Sequence, residues 1–256
     1  MIDLHTHILP GVDDGAPDLE TSVLMAAVAA ESGVTHLVAT PHSNQRGAFE
    51  NYASPALQVR FDCLCAAVRE AGIPLELSLG MEIFGTGDVP KLLREGRLLT
   101  INGGRYLLIE FGFHEDPLRI ERLLDELLAA GYWPVVAHPE RYFCVQDTPE
   151  LLYEFREMGA VLQINKGSVF GRFGEEAERT ARFLLENRLA GCVASDAHGA
   201  DYRTTDMRPV RQFLEERYGE AYAQLLVKVN PRRILEDRQI FYEPSPERKR
   251  KRRWFL

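Results

Sequence analysis

Short apolar runs that end in polar residues recur seven times along the chain, at 1–5, 36–40, 75–81, 106–111, 134–137, 161–165 and 192–195. Each has the length and bounded character of a buried strand. Between them lie longer stretches with apolar positions at helical spacing, at 19–32, 54–71, 117–131, 149–159 and 175–188. Gly33, Gly72, Gly131, Gly159 and Gly191 follow these stretches, as helix stop signals do. Pro149 after Thr148 reads as a first helical position behind an N-cap. Regular strand–helix alternation predicts a parallel sheet covered by helices, an α/β protein. Seven repeats favour a closed or distorted barrel, although a doubly wound open sheet satisfies the same alternation. The 256 residues suit one such barrel or two small domains. No low-complexity linker divides them, so 1–243 reads as one domain and 244–256 as a tail.

The polar residues fall at the strand ends. His5 and His7 close the first strand and His42 follows the second. Glu82 ends the third, Glu110 the fourth and His138 the fifth, while Asp196 and His198 end the seventh. In a parallel barrel all strand C-termini open on one face, where active sites are built. Side chains two apart on a strand share a face, so His5-Thr6-His7 sets two imidazoles side by side, and Asp196-Ala197-His198 repeats the spacing. A single histidine is as readily a satisfied structural group as a ligand. The coincidence of so many His, Asp and Glu at strand ends instead predicts a polynuclear site for Zn, Mn or Fe. In Gly11-Val12-Asp13-Asp14-Gly15 the turn explains the glycines, and one of the two acids is expected in the cluster. His36 starts its strand and reads as structural; His114 lies in a loop and could face substrate.

Composition adds little to this and removes some classes. The hydrophobic fraction of 45% and charged fraction of 27% are those of ordinary globular enzymes. The formal charge is −8, against nucleic acid as a partner. Residues 248–253 form an unbroken basic run; without these six, 24 basic residues face 38 acidic ones, a formal −14. Four cysteines, Cys63, Cys65, Cys144 and Cys192, show no paired zinc spacing. The opening residues carry no leader pattern and no apolar run is long enough to span a bilayer, so a cytoplasmic protein is expected.

The strand-end segments together resemble a known family. Met1-Ile2-Asp3-Leu4-His5-Thr6-His7-Ile8-Leu9-Pro10-Gly11-Val12-Asp13-Asp14-Gly15 resembles the opening of the polymerase and histidinol phosphatase (PHP) superfamily. More narrowly it is similar to the CpsB/YwqE group of bacterial manganese-dependent protein-tyrosine phosphatases of capsule and exopolysaccharide loci. Thr40-Pro41-His42, Gly80-Met81-Glu82-Ile83, Leu108-Ile109-Glu110-Phe111, Ala137-His138-Pro139-Glu140-Arg141-Tyr142, Ala194-Ser195-Asp196-Ala197-His198 and Asn230-Pro231 follow in order. The resemblance spans about residues 1–240. It implies a distorted (β/α)7 TIM-like barrel, the PHP fold, with three divalent metal ions, Mn2+ foremost and Fe or Zn as alternatives. The ligands it implies are His5, His7, Asp14, His42, Glu82, Glu110, His138, Asp196 and His198. Arg141 and Arg203 match phosphate-binding or catalytic positions, with Arg208 a nearby rival to Arg203. The implied reaction is hydrolysis of phosphotyrosine by metal-activated water, in regulation of capsule or exopolysaccharide synthesis, with a bacterial tyrosine kinase as partner.

Cys63 and Arg69 reproduce the spacing of a cysteine-based tyrosine phosphatase, but the intervening Leu-Cys-Ala-Ala-Val is helical and lacks glycines to cradle phosphate. The rival readings are a PHP phosphoesterase acting on a histidinol-phosphate-type monoester or a phosphodiester, and a non-catalytic metal-dependent phosphoprotein-binding module. The basic tail with Trp254-Phe255-Leu256 reads as a solvated end, a contact for an anionic membrane surface, or a contact for an acidic kinase tail.

Overall fold

The computed structural model describes residues 1–244, so the basic run at 248–253 and the aromatic end lie outside the described residues. Among the described residues there are nine strands: β1 (Ile2–Thr6), β2 (His36–Ala39), β3 (His42–Ser43), β4 (Glu76–Leu79), β5 (Glu82–Phe84), β6 (Tyr106–Glu110), β7 (Trp133–Ala137), β8 (Val161–Asn165) and β9 (Ala190–Ala194). Every pairing between them is parallel. They form two sheets, β1-β2-β4 and β3-β5-β6-β7-β8-β9. β3 continues β2 and β5 continues β4, so the seven expected strand positions remain. Thr6 bridges Ala197, with the His7 N–H donating to the Ala197 carbonyl and the Asp196 N–H to the His5 carbonyl, both at 2.9 Å. That bridge brings β1 back to β9 and makes the architecture a distorted (β/α)7 barrel.

The expected second and third strands are each interrupted. Pro41 has no N–H to extend the ladder after Ala39 and Thr40. Its carbonyl still accepts from the Glu82 N–H at 3.1 Å, so pairing resumes one step on with His42 opposite Glu82. Glu82 therefore begins β5 rather than ending a single strand.

Helices Leu19–Glu31, Pro55–Glu70, Pro117–Ala129, Leu151–Met158 and Glu175–Glu186 occupy the predicted stretches. Asp18, Ser54 and Asp116 cap the first three, accepting from Thr21, Leu57 and Leu118 N–H groups; each such cap is worth about 1 kcal/mol. Thr148 does not cap: its backbone carbonyl accepts from the Leu151 N–H, and two more i to i+3 bonds follow, so the fourth helix enters through a tight turn. Gly191 is not a helix stop. The chain reverses earlier, at Arg188 with φ 55°, and Gly191 lies inside β9. A Cβ there would stand 2.5 Å from Val161 Cγ1 and 2.9 Å from Ile240 Cδ1, so the strand needs glycine to accept the returning C-terminal segment.

Strand alternation sorts the core into layers. Leu107, Ile109, Leu162 and Ile164 belong to the large apolar layer packed with the helices. Tyr106 and Leu108 join Ile2, Leu4, Val135 and Cys192 in a smaller interior cluster. The next residue on the same face of β6 is Glu110, and on β8 Val161 is followed by Gln163 and Asn165. The barrel interior thus changes from apolar to polar toward the strand C-termini. Among the described residues no helix is long and apolar enough to cross a membrane.

Candidate metal centre

His5, His7, Asp14, His42, Glu82, Glu110, His138, Asp196 and His198 converge at the C-terminal end of the barrel. His5 Nε2 and His7 Nε2 are 3.2 Å apart, and each lies 3.2 Å from Glu82 Oε2. Asp196 Oδ1 stands 3.5 Å from His5 Nε2 and 3.4 Å from His7 Nε2. His42 Nδ1 lies 3.1 Å from both Glu82 Oε2 and Glu110 Oε1, and Asp14 Oδ1 lies within 3.5 Å of His42 and His198. Three overlapping sets have donor atoms close enough to share an ion: His7, Asp14, His42 and His198; His5, His7 and Asp196; and His42, Glu82 and Glu110. His138 stands outside those sets, with Nε2 2.9 Å from Glu82 Oε1.

These residues fit divalent metal. Glu82 Oε2 and His42 Nδ1 face each other at ion-pair distance yet neither has a hydrogen-bond partner. Imidazole and carboxylate donors in this mixture suit Mn, Fe or Zn. Most of the donors are buried, and charge taken out of water must be compensated.

The electrostatics show how strongly the groups compensate one another. Burial acts to lower the His7 imidazole, but Asp13, then Asp196 and Glu82, outweigh it and hold the group well above its ordinary value. Burial likewise opposes, and Glu82 and Asp196 overcome, a fall at His5, whose value is raised. Asp14 is held down at about 2, chiefly by its hydrogen bond to His198. Burial would raise Asp196, but His5, His7 and Arg203 depress it far more.

Several buried groups hold the cluster in place, and of these the sequence pattern points only to Asp13, as one of two alternative loop acids. Asp13 lies behind the cluster: its Oδ2 accepts from His7 Nδ1 at 2.8 Å and from the His42 N–H at 3.0 Å. That geometry separates the two loop acids, Asp13 turning inward to orient His7 and Asp14 reaching the open side. Gly15 makes the loop possible, since a Cβ there would lie 2.0 Å from the His7 carbonyl oxygen. β8, which ends in no charged residue, supplies Gln163 Oε1 to His5 Nδ1 at 3.0 Å and Asn165 Nδ2 to Asp196 Oδ2 at 2.5 Å. Such outer contacts fix ring orientation and tautomer. Tyr142 ties two strand ends, donating to the Ala137 carbonyl at 2.7 Å and accepting from the Phe111 N–H at 3.1 Å. Glu140 Oε1 accepts from the Asn165 N–H at 2.9 Å.

The arginines sit on one side of the cluster. Arg203 Nη2 donates to Asp196 Oδ2 at 2.6 Å, and Arg141 Nη1 is 3.6 Å from the same oxygen. The Arg141 guanidinium lies between Phe113 and Phe173, at 4.6 and 4.2 Å from their ring centres. Arg208 instead pairs with Asp206 at 2.7 Å on the surface. Both Arg141 and Arg203 line a cavity of about 200 Å³ with Phe49, Phe113 and the open sides of His42, Glu110 and His198. Phe49 stacks on His42 with ring centres 5.2 Å apart. His138, Asp196 and Arg203 all adopt left-handed backbone, with φ 35°, 48° and 48°; strain of this kind gathers at functional sites. His36 is remote from the cluster, bonded to Ser78 at 2.8 Å. His114 is not among the residues that line the cavity and packs edge-on against Phe143. Cys63 is exposed on helix Pro55–Glu70, away from the rim.

A parallel α/β barrel with a cluster of imidazoles and carboxylates at its strand C-termini defines a class of metal-dependent hydrolase folds. A β-aspartyl dipeptidase from Fervidobacterium islandicum shares this fold, at a TM-score of 0.52 and 16% identity over 91% of this chain and 72% of that one. Residues 1–236 match the family described as capsular polysaccharide synthesis, CpsB/CapC, and the chain belongs to that family. It is 37% identical to the tyrosine-protein phosphatase YwqE of Bacillus subtilis over 98% of both chains. It is 34% identical to the tyrosine-protein phosphatase CpsB of Streptococcus pneumoniae, over 94% of this chain and all of that one. A crystal structure from work on YwqE and CpsB, described as unique metal-dependent tyrosine phosphatases, superposes at a TM-score of 0.89. It shares 38% identity over 98% of this chain and 100% of that chain.

Proposed function

We propose that this protein is a metal-dependent protein-tyrosine phosphatase serving capsule or exopolysaccharide synthesis. The observation that carries the reading is the convergence of five imidazoles, four carboxylates and two arginines at one end of the barrel, all but His5 and His7 lining one small cavity, in a family whose relatives are tyrosine phosphatases. Three divalent ions, Mn2+ foremost, match the three overlapping donor sets. When bound, such ions supply positive charge and acidify water at neutral pH.

The remaining work falls to the chain. Arg141 and Arg203 approach Asp196 from one side, so their unused N–H groups are placed to donate to phosphate oxygens. The Phe113 and Phe173 rings hold the Arg141 fork in its plane. Phe49 and Phe113 give the cavity apolar walls that suit the phenyl ring of phosphotyrosine. Asp13 and Gln163 keep His7 and His5 in fixed tautomers. No side chain needs to form a covalent intermediate. The partner this reading implies is a tyrosine-phosphorylated bacterial kinase.

The test compares hydrolysis of a phosphotyrosyl peptide, histidinol phosphate and a nucleotide diester by metal-loaded protein. Phosphotyrosine is expected to be the best substrate. If it were the poorest, the small-monoester or diester reading would replace this one; metal uptake without turnover of any ester would favour a binding module.

A further inference from the structure

A second and larger cavity, about 380 Å³, adjoins the metal centre. Arg203 lines both and so stands between them. The far wall comes from the segment after β8, where Phe170 is half exposed and Arg172 exposed. The near wall is the loop from Arg203 to Asp206. Lys166 builds that wall: its Nζ donates to the Thr204 and Asp206 carbonyls, the latter at 2.8 Å, and burial pushes the amine down to about 8.

The charge of this cavity is not balanced. Asp206 is taken by Arg208 at 2.7 Å. Arg203 is engaged with Asp196. Arg172 lies over the Tyr202 ring at 4.6 Å and has no ion pair among the described residues. A small phosphate ester fits the metal cavity alone and would leave this basic, partly aromatic space unused. A polypeptide entering with its phosphotyrosine at the metal centre would lay neighbouring residues beside Arg203, within reach of Arg172.

We propose that this cavity is a recognition subsite for the chain flanking the phosphotyrosine, and that Arg172 selects an acidic side chain there. The inference rests on the phosphatase reading above. Arg172 touches neither the metal donors nor the phosphate cavity, so it acts on choice of substrate rather than on the chemistry.

The experiment uses the full, metal-loaded chain with free phosphotyrosine and two phosphotyrosyl peptides that differ only in carrying glutamate or lysine beside the phosphotyrosine. The wild type is expected to prefer the glutamate peptide. Arg172→Ala should reduce kcat/KM on that peptide about fivefold, the scale of one partly exposed ion pair, and leave free phosphotyrosine unchanged. Arg172→Glu should invert the preference toward the lysine peptide. An unchanged glutamate-to-lysine ratio in both variants would overturn the subsite, as would equal losses on free phosphotyrosine and both peptides. Failure of the wild type to hydrolyse free phosphotyrosine would instead remove the phosphatase reading, and the subsite with it.

Discussion

The two ends of the barrel are built from the same strands and solve opposite problems. At the N-terminal end Asn230 Nδ2 donates to the Gly191 and Phe241 carbonyls and its Oδ1 accepts from the Phe241 N–H, all at 2.8–2.9 Å. Asp237 accepts from the Arg105 backbone and side chain, and Arg105 stacks on Trp133 at 3.8 Å. These polar groups are paired. At the C-terminal end like donors face one another and carboxylates are shared among several imidazoles. The contrast teaches that the lower half holds the fold, while the upper half spends stability on an arrangement that only added cations would satisfy.

That contrast can be broken from either end. The largest effect is expected from Asp196→Ala, which removes the carboxylate shared by His5, His7 and both arginines. Loss of several kcal/mol of charge stabilisation corresponds to roughly 10³-fold or more in kcat/KM, measured on a phosphotyrosyl peptide alongside metal content. Arg141→Ala should lower kcat by about 10²-fold, the scale of one lost donor to developing charge, with metal content unchanged; a change in metal content instead would give Arg141 a structural part.

Smaller losses are expected from the groups behind the cluster. Gln163→Leu should weaken metal binding about 10-fold to 100-fold, read by chelator competition; unaltered affinity would show that His5 needs no orientation from β8. Acid should do the same reversibly. His5, His7 and His42 are raised above the ordinary imidazole value by neighbouring carboxylates that outweigh burial, so in metal-free protein they keep protons to higher pH. Metal must displace those protons, so apparent affinity should rise with pH and fall on acidification. Proton release on metal addition, followed by calorimetry in two buffers, checks the sign. The smallest effect on activity belongs to the lower end: Asn230→Ala should cost about 2 kcal/mol of stability through lost buried hydrogen bonds, seen in denaturant melts, and leave kcat unchanged.

Much of the upper end was legible because metal chemistry restricts residue type and strand period restricts placement. His5 and His7, or Asp196 and His198, announce themselves by identity and spacing. Gln163 and Asn165 do not, since an amide in a strand is unremarkable until the group it faces is known, and His5 lies 158 residues away in sequence. Gly191 misled for a related reason: its glycine answers to Ile240 and Val161 across the fold, not to a local helix end. Thr148 misled because the chain entered the helix by a tight turn that leaves no N-cap to fill.

By itself the sequence determined the alternation of strand and helix, the residue types gathered at strand ends, and through them the kind of chemistry to expect, because these follow from local periodicity and side-chain character. The resemblance already implied Asp14 as the loop acid of the cluster; only the tertiary structure set Asp13 behind it, in support of His7. It alone set Arg203 against Asp196 while leaving Arg208 on the surface, split two strands at Pro41 and Gly80-Met81, and opened a basic cavity beside the site. Those outcomes depend on contacts between distant segments, whose geometry is fixed only when the barrel closes and each buried polar group must find a partner.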